Sequence, residues 1–174
     1  LRAMRPPGVK RSLRAQREVR YAPQPTPAWV KFAMFSGGSW SASWDIATAV
    51  PNRIWGSGIP APGANASPAI AEAFARQLLA EHIALLSPGA KVSDYQLVSN
   101  HSDGDIRSIG FVQTASGLRV VGGQVSFRFK RDRMFVIGSE ALPNVKVVRP
   151  YSRLSTHVLA VRASDNLRRD LELP

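Results

Sequence analysis

The sequence lacks cysteine and long apolar runs, and each absence removes a class of protein. With no cysteine among 174 residues, disulfide bonds, thiolate zinc sites and a thiol nucleophile are excluded. No run of about 18 apolar residues occurs, so no transmembrane helix is predicted. Histidine is scarce as well: His82, His101 and His157 lie in different predicted elements, without the His-Glu-x-x-His spacing of a zinc peptidase. We therefore expect no zinc site in this chain.

Motifs that mark catalytic or cofactor sites are missing or badly placed. The stretch Gly56–Ala61 fits a dinucleotide-binding pattern, but Pro60 and Pro62 would spoil the helix whose N-terminus must hold the pyrophosphate. Neither a nucleophile elbow nor a P-loop occurs. The carboxylates are scattered over different predicted elements, so no pair is predicted to flank a scissile bond. The sequence thus predicts a non-catalytic protein with no cofactor and no small-molecule substrate.

Basic charge is concentrated at the start of the chain. The formal net charge is +11; residues 1–20 carry seven Lys/Arg and one Glu, or +6, and the remaining sixteen Lys/Arg and eleven Asp/Glu leave +5. Such a segment can bind nucleic acid or anionic lipid. No aromatic residue is interleaved before Tyr21, which favours a solvated leader instead. Residues 22–28 are proline-rich, so we assign 1–28 as a basic, proline-rich leader.

Residues 29–87 are predicted to form two strands and a long helix. Aromatic residues are dense over 29–55, where we place one strand around 29–35 and another around 39–45, followed by an irregular stretch and a loop over 56–67. Ser67 can cap a helix that has Pro68 in its first position, and Pro88 ends it. This helix, 68–87, carries a broad apolar stripe that consists of Ile70, Phe74, Leu78 and Leu85 with Ala71, Ala75, Leu79, Ile83 and Leu86 beside them.

From Tyr95 the apolar period becomes two, which predicts consecutive antiparallel strands within 93–145. Val125, Phe127 and Phe129 alternate with polar residues and should form a dry face against the helical stripe. The fold class predicted is therefore α+β, an antiparallel β-sheet packed against a long α-helix. After Ser155 a further helix is predicted.

The segment 106–145 resembles the fungalysin/thermolysin propeptide (FTP) module, which occurs in the pro-regions of secreted zinc metalloproteases. The family pattern is an Arg-containing strand ending Phe-x-Gln, then Gly-Leu/Ile-x-Val-x-Gly-Gly, a strand, a polar turn, a strand and a Pro exit. The turn here is Asp132-Arg133 where the family has Asp-Gly. The matching residues are Arg107, Phe111 and Gln113, then Gly117, Leu118, Val120, Gly122 and Gly123, and finally Leu142 and Pro143.

The wider segment 39–167 looks like the surroundings of this module, and the part after Ser155 looks like the first helix of a PepSY module. The resemblance implies an FTP-like propeptide domain over 29–150 and the start of a PepSY-like module over 151–174. It also implies a secreted protein, extracellular or periplasmic, whose export signal is not in this sequence. Its role would be to chaperone and inhibit its own catalytic domain, which alone would bind zinc.

A polar face of the predicted sheet is the candidate surface for an acidic partner, with two glycines that let a strand bend or another backbone approach. A solvated sheet face and a simple bulge are the alternatives for these features. Two other functions also remain open: a basic module that binds nucleic acid or an anionic surface through residues 1–20, and a free-standing protease inhibitor. The candidate partner-binding residues are Arg107, Gln113, Arg119, Gly122, Gly123, Gln124, Arg128 and Lys130.

Overall fold

A computed structural model of the chain describes residues 26–45, 47–147 and 155–170. The basic leader up to residue 25 lies outside these residues. The described residues form a six-stranded antiparallel sheet, and the helices that precede residue 87 pack on one of its faces, which confirms the α+β class. In chain order the elements are α1 (Pro27–Ser36), β1 (Trp40–Asp45), β2 (Val50–Pro60), α2 (Pro68–Glu81), α3 (Ile83–Leu86), β3 (Tyr95–Asp103), β4 (Ile106–Ala115), β5 (Leu118–Lys130), β6 (Arg133–Ser139) and α4 (Thr156–Asp170).

The sheet order is β1-β2-β6-β5-β4-β3. Strands β3 to β6 follow one another through tight turns, as the alternating pattern predicts. Strand β2 pairs with β1 on one side and with β6, which is distant in the sequence, on the other. Strand β1 therefore forms one edge of the sheet and β3 forms the other. The segment between β2 and β3 carries α2 and α3 across the sheet to reach that far edge.

The first predicted strand, around 29–35, is wrong, because this segment is helix α1. Thr26 caps the helix by accepting a hydrogen bond from Trp29 N, and Pro27 follows in the first turn, where its missing N–H costs nothing. Phe32 is fully buried against the sheet. The helix therefore begins inside the segment that we assigned to the leader.

The predicted irregular stretch and loop after residue 45 contain β2, an eleven-residue strand. Its alternation places Val50 and Ile54 in the core. Gly56 and Gly58 interrupt the apolar pattern, but the backbone pairs with both β1 and β6 around them. The Gly-x-Gly stretch is thus part of a sheet, which agrees with its rejection as a dinucleotide motif.

The long helix predicted over 68–87 is also wrong in its length, because it breaks at His82 into the fourteen-residue α2 and the four-residue α3. The capping prediction is confirmed: Ser67 accepts a hydrogen bond from Ile70 N at 3.3 Å, with Pro68 at the first position. Ile70 is 45% exposed and does not belong to the buried stripe, whose members are Ala71, Ala75, Leu78, Leu79, Leu85 and Leu86.

The predicted dry face is confirmed, since Val125, Phe127 and Phe129 are fully buried. Phe129 contacts Phe74 of α2, with ring centroids 6.0 Å apart in an edge arrangement. Phe127 lies edge-on to Phe111 of β4 at 6.1 Å. We call the side of the sheet that carries these residues the helix face and the opposite side the open face.

The β5–β6 turn consists of Arg131 and Asp132, not of Asp132 and Arg133. Arg131 and Asp132 have positive φ angles of 50° and 52°, which is the left-handed geometry of a type I′ hairpin turn. Asp132 is held by Asn65: its N–H donates to Asn65 Oδ1 at 2.8 Å and its carboxylate accepts from Asn65 N at 2.9 Å. Backbone N–H donors from Asn65 and Gly63 lower the pKa of this carboxyl. These hydrogen bonds offset the free-energy cost of the left-handed backbone at Asp132. The side chain of Arg131 is exposed and makes no such hydrogen bond among the described residues.

Replacement of Arg131 should therefore change stability chiefly through the backbone, since its charge acts only weakly on the exposed Asp105. Asparagine tolerates the left-handed region, so Arg131→Asn should raise the free energy of unfolding by about 0.5 kcal/mol. A β-branched residue does not tolerate it, so Arg131→Val should lower the same quantity by about 1 kcal/mol. Urea unfolding of the two variants beside the parent measures both changes. Equal stability of the two variants would contradict the I′ turn.

Candidate partner-binding face

The open face carries a row of side chains that crosses all six strands. Paired residues of neighbouring strands lie side by side on one face of a sheet. The exposed indole of Trp55 and the exposed Arg128 flank Val136, which is only 8% exposed. From one edge to the other the row is Ser41, Trp55, Val136, Arg128, Ser108 and His101.

The neighbouring row on the same face is built from small residues. A Cβ added to Gly110 would lie 2.4 Å from Ser99 Oγ, and one added to Gly138 would lie 2.8 Å from Ser126 Oγ, so serine hydroxyls cover both glycines. Arg53 is the one large side chain in this row. The members are Ser43, Arg53, Gly138, Ser126, Gly110 and Ser99. The result is a low floor beside the taller row of Trp55 and Arg128.

Two arginines give the open face its charge. The ion pairs within the described residues are Arg76–Glu72 and Lys130–Asp105, so Arg53 and Arg128 take part in neither. Lys130 lies on the same strand face as Arg128 but is 3.0 Å from the Asp105 carboxylate, and its hydrogen bond lowers the pKa of that group. Exposed guanidinium groups without an acidic neighbour are suited to bind carboxylates of another molecule.

The structure separates the eight predicted partner-binding residues. Gln124, Arg128 and Lys130 lie together on the open face, as the alternation of β5 predicts. Arg119 is exposed on β5, but Gly122 and Gly123 separate it from Gln124, Arg128 and Lys130. Arg107 and Gln113 are wrongly placed by the prediction, because both point to the helix face.

Arg107 is buried, with 7% exposure. Its Nε and Nη2 donate to the carbonyl of Asn65 at 3.2 and 3.0 Å, and its Nη1 donates to Asn100 Oδ1 at 3.1 Å. Asn100 in turn donates to the carbonyl of Pro68 at the start of α2. The guanidinium therefore ties the loop before α2 to strands β3 and β4. Its pairing with Phe129 across the sheet, on the helix face, explains why it cannot meet a partner.

Gln113 is buried as well, at 2% exposure. Its Nε2 donates to the carbonyl of Leu142 at 2.9 Å, and its Oε1 accepts from the N–H of the same residue at 2.9 Å. A longer contact of 3.4 Å runs to Ser87 Oγ, after α3. The side chain thus fixes the chain as it leaves the sheet after β6.

The two glycines form a large bulge in β5. Val112 pairs with Gln124 and Thr114 with Arg119, so Gln113 alone faces the four residues 120–123. Gly122 has φ 76°, and a Cβ on Gly123 would lie 2.7 Å from Gln113 Oε1. The bulge is therefore shaped around Gln113, and it leaves Val121 76% exposed. This agrees with the bulge alternative for the glycines.

Sequence reasoning missed two residues of the open face, Arg53 and Trp55. Both lie in the stretch predicted to be irregular, so neither residue was assigned to a face of the sheet. The alternation of Arg53, Ile54 and Trp55 was the available signal, but Pro51 and the two following glycines obscured it. The described residues contain no group of three or more His, Asp or Glu side chains that could hold a metal ion. No helix among them is long and apolar enough to cross a membrane.

Comparison with known proteins adds little to this geometry. No family model matches the chain, and no curated protein matches it. A solved structure, the Bacillus megaterium YpeB C-terminal domain, is similar to it with a TM-score of 0.45 and 13% sequence identity. The alignment covers 71% of this chain and 53% of that one, so the chain spans about half the length of that structure.

Proposed function

We propose that this chain is a non-catalytic pro-region of a secreted zinc metalloprotease, which assists the folding of the catalytic domain and holds it inactive. The catalytic domain, and not this chain, would carry the zinc. The FTP-like module would be residues 29–150, followed by the start of a PepSY-like module in which α4 would be the first helix.

The observation that carries the proposal is the meeting of the FTP-like residues around one side chain. Gln113 of the Phe-x-Gln element binds both backbone groups of Leu142 at the exit and packs against Gly123 of the double glycine. Phe111, two residues earlier, lies in the core. Elements that are separate in the sequence thus depend on one another for packing. This interdependence explains why their order and spacing would recur in a family, and so supports the resemblance.

The open face is the surface that we assign to the catalytic domain. Tryptophan and arginine are the residue types that contribute most to protein–protein affinity, and Trp55, Arg53 and Arg128 lie in adjacent rows. The low floor of serine and glycine beside them allows another surface to approach closely. The two arginines would meet carboxylates on the catalytic domain.

Charge reversal tests this assignment. Arg53→Glu and Arg128→Glu should each weaken binding of the cognate catalytic domain about tenfold or more, and slow its assisted refolding, because a carboxylate would face acidic groups. Lys146→Glu is the matched control, since it makes the same charge change on an exposed residue after β6. Binding is measured by inhibition of the protease, and refolding by recovery of its activity with the chain supplied in trans.

The possible outcomes are distinct. If both reversals bind like the control while the parent chain inhibits, the open face is not the working surface. If the parent neither binds nor assists the protease, the pro-region proposal itself fails. Equal urea unfolding of all three variants is required, because surface changes of this kind should stay within about ±0.5 kcal/mol.

A further inference from the structure

His82 occupies an unusual position, at the break between α2 and α3. It is 3% exposed, and its ring lies edge-on to Phe32 and Phe35 of α1, with centroids 5.0 Å from each. The backbone at His82 leaves the helical region, with φ −117° and ψ 21°. The imidazole is therefore a wedge between the α2–α3 break and the underside of α1.

Neither ring nitrogen of His82 has a hydrogen-bond partner in the described part of the chain. Buried polar atoms are normally paired, and an imidazole always carries at least one N–H donor. Two charged groups act on the ring: Glu81 of α2 and Lys31 of α1. The side chains that contact it from α1, Phe32 and Phe35, are uncharged. Glu81 Oε2 is also buried without a partner.

A proton on this ring would be costly while α1 stays in place. Burial lowers the pKa of His82, the Glu81 charge raises it by less, and the Lys31 charge lowers it again. Once exposed to solvent, a histidine has a pKa of about 6.5. Because the docked state holds its proton less tightly than the open state, docking is most favourable above about pH 6.5 and weakens as the pH falls below it.

Helix α1 is the element that can move away from His82 and so remove the cost of placing a proton on the buried ring. It is short, and Phe32 is its one fully buried residue. Val30 and Met34 on its outer side are substantially exposed, and Phe35 is about half exposed although its ring contacts His82. Its polar link to the rest of the domain is a weak one, from Lys31 Nζ to the carbonyl of Glu81 at 3.4 Å. The strands of the sheet do not need α1 for their own pairing.

We propose that His82 is an acid-sensitive latch whose protonation releases α1 from the domain in mild acid, exposing the apolar surface around Phe32 and Trp44. The latch does not depend on the pro-region proposal, because it follows from the contacts of His82 alone. Each pH unit below about 6.5 should favour the open state by up to tenfold, until the docked-state pKa is reached.

Amide hydrogen exchange on the full chain, corrected for the intrinsic effect of pH on exchange, tests the latch. Between pH 7.5 and pH 5, protection of residues 27–36 should fall severalfold, while protection of β5 should be retained. Tryptophan emission should shift to longer wavelength with it, because Trp29 packs on Phe32 and Trp44 in the docked state. Return to pH 7.5 should restore both signals.

Two variants separate the latch from other titrations. His82→Leu cannot be protonated and should keep α1 protected at pH 5; His82→Phe serves the same purpose if the leucine variant is poorly folded. His101→Gln, an exposed change on β3, should behave like the parent. The proposal is overturned if the parent keeps α1 protected at pH 5, if a folded His82 variant still opens, or if β5 opens together with α1.

Discussion

Phe127→Ala is expected to lower the free energy of unfolding by about 3–5 kcal/mol, a large part of the stability of a domain of this size. Phe127 is fully buried in the middle of the helix face. Its neighbours across the sheet, Ile109 and Ile137, are equally buried, and Phe111 contacts its ring. Rigid strands on both sides leave little room for the cavity to collapse, so the upper part of the range is reachable. Urea unfolding followed by far-ultraviolet circular dichroism measures the change.

Arg128→Ala is the matched control, one residue away on the open face. It should change the free energy of unfolding by no more than about 0.5 kcal/mol, because its side chain is exposed on the open face. A Phe127→Ala variant as stable as the parent would show that the alternation of β5 does not define the core. That result would contradict the packing of the sheet against the helices.

Gln113→Leu should cost about 2–3 kcal/mol although the substituted residue is similar in size and more apolar. The change removes the partner of both the N–H and the C=O of Leu142, and half-buried backbone groups without partners are unfavourable. The loss of protection should be greatest near Leu142: in the variant, amide hydrogen exchange of residues 140–147 should speed up more than that of β4. Unfolding and hydrogen exchange together measure the two effects.

Gln124→Leu is the control for Gln113→Leu. It lies next to the bulge on the open face and loses an exposed hydrogen bond of 3.0 Å to Glu140, so its effect should stay within about ±0.5 kcal/mol. If Gln113→Leu were as stable as this control, the exit of the chain would be held by other contacts. The meeting of the FTP-like residues around Gln113 would then lose its significance for the proposed function.

Local rules predicted the second half of the domain well. Strands β3 to β6 alternate cleanly and are joined by short turns, so each pairing partner is the next segment of the chain. The inward set Val125, Phe127 and Phe129 followed from the same period. The helix start at Ser67 and Pro68 also follows from local backbone chemistry alone.

The first half was predicted less well, for different physical reasons. Thr26 and Pro27 signal a helix start, but the aromatic residues after them resemble a strand, and their burial depends on β1 and α3. Strand β2 pairs with β6, a segment far along the chain, which no local pattern reveals. The break at His82 also depends on tertiary contacts, since the apolar spacing continues through it.

Arg107 and Gln113 show why the candidate site was only partly predictable. Both have side chains that are usually exposed, and polarity alone placed them on the polar face. Their register opposite Phe129 and the bulge determines the real direction of the side chains. Arg53 and Trp55 joined the site for the converse reason, because their strand was not recognised.

The pairing of β2 with β6 has a consequence for the order of folding. Strands β3 to β6 can form by successive closure of short loops, whereas β2 must find β6 across two helices and three intervening strands. Long closures lose more chain entropy and slow the search. The β1–β2 hairpin and α1 should therefore be the last parts of the domain to fold. During synthesis they leave the ribosome before β6 does, so they cannot join the sheet until that strand has been made.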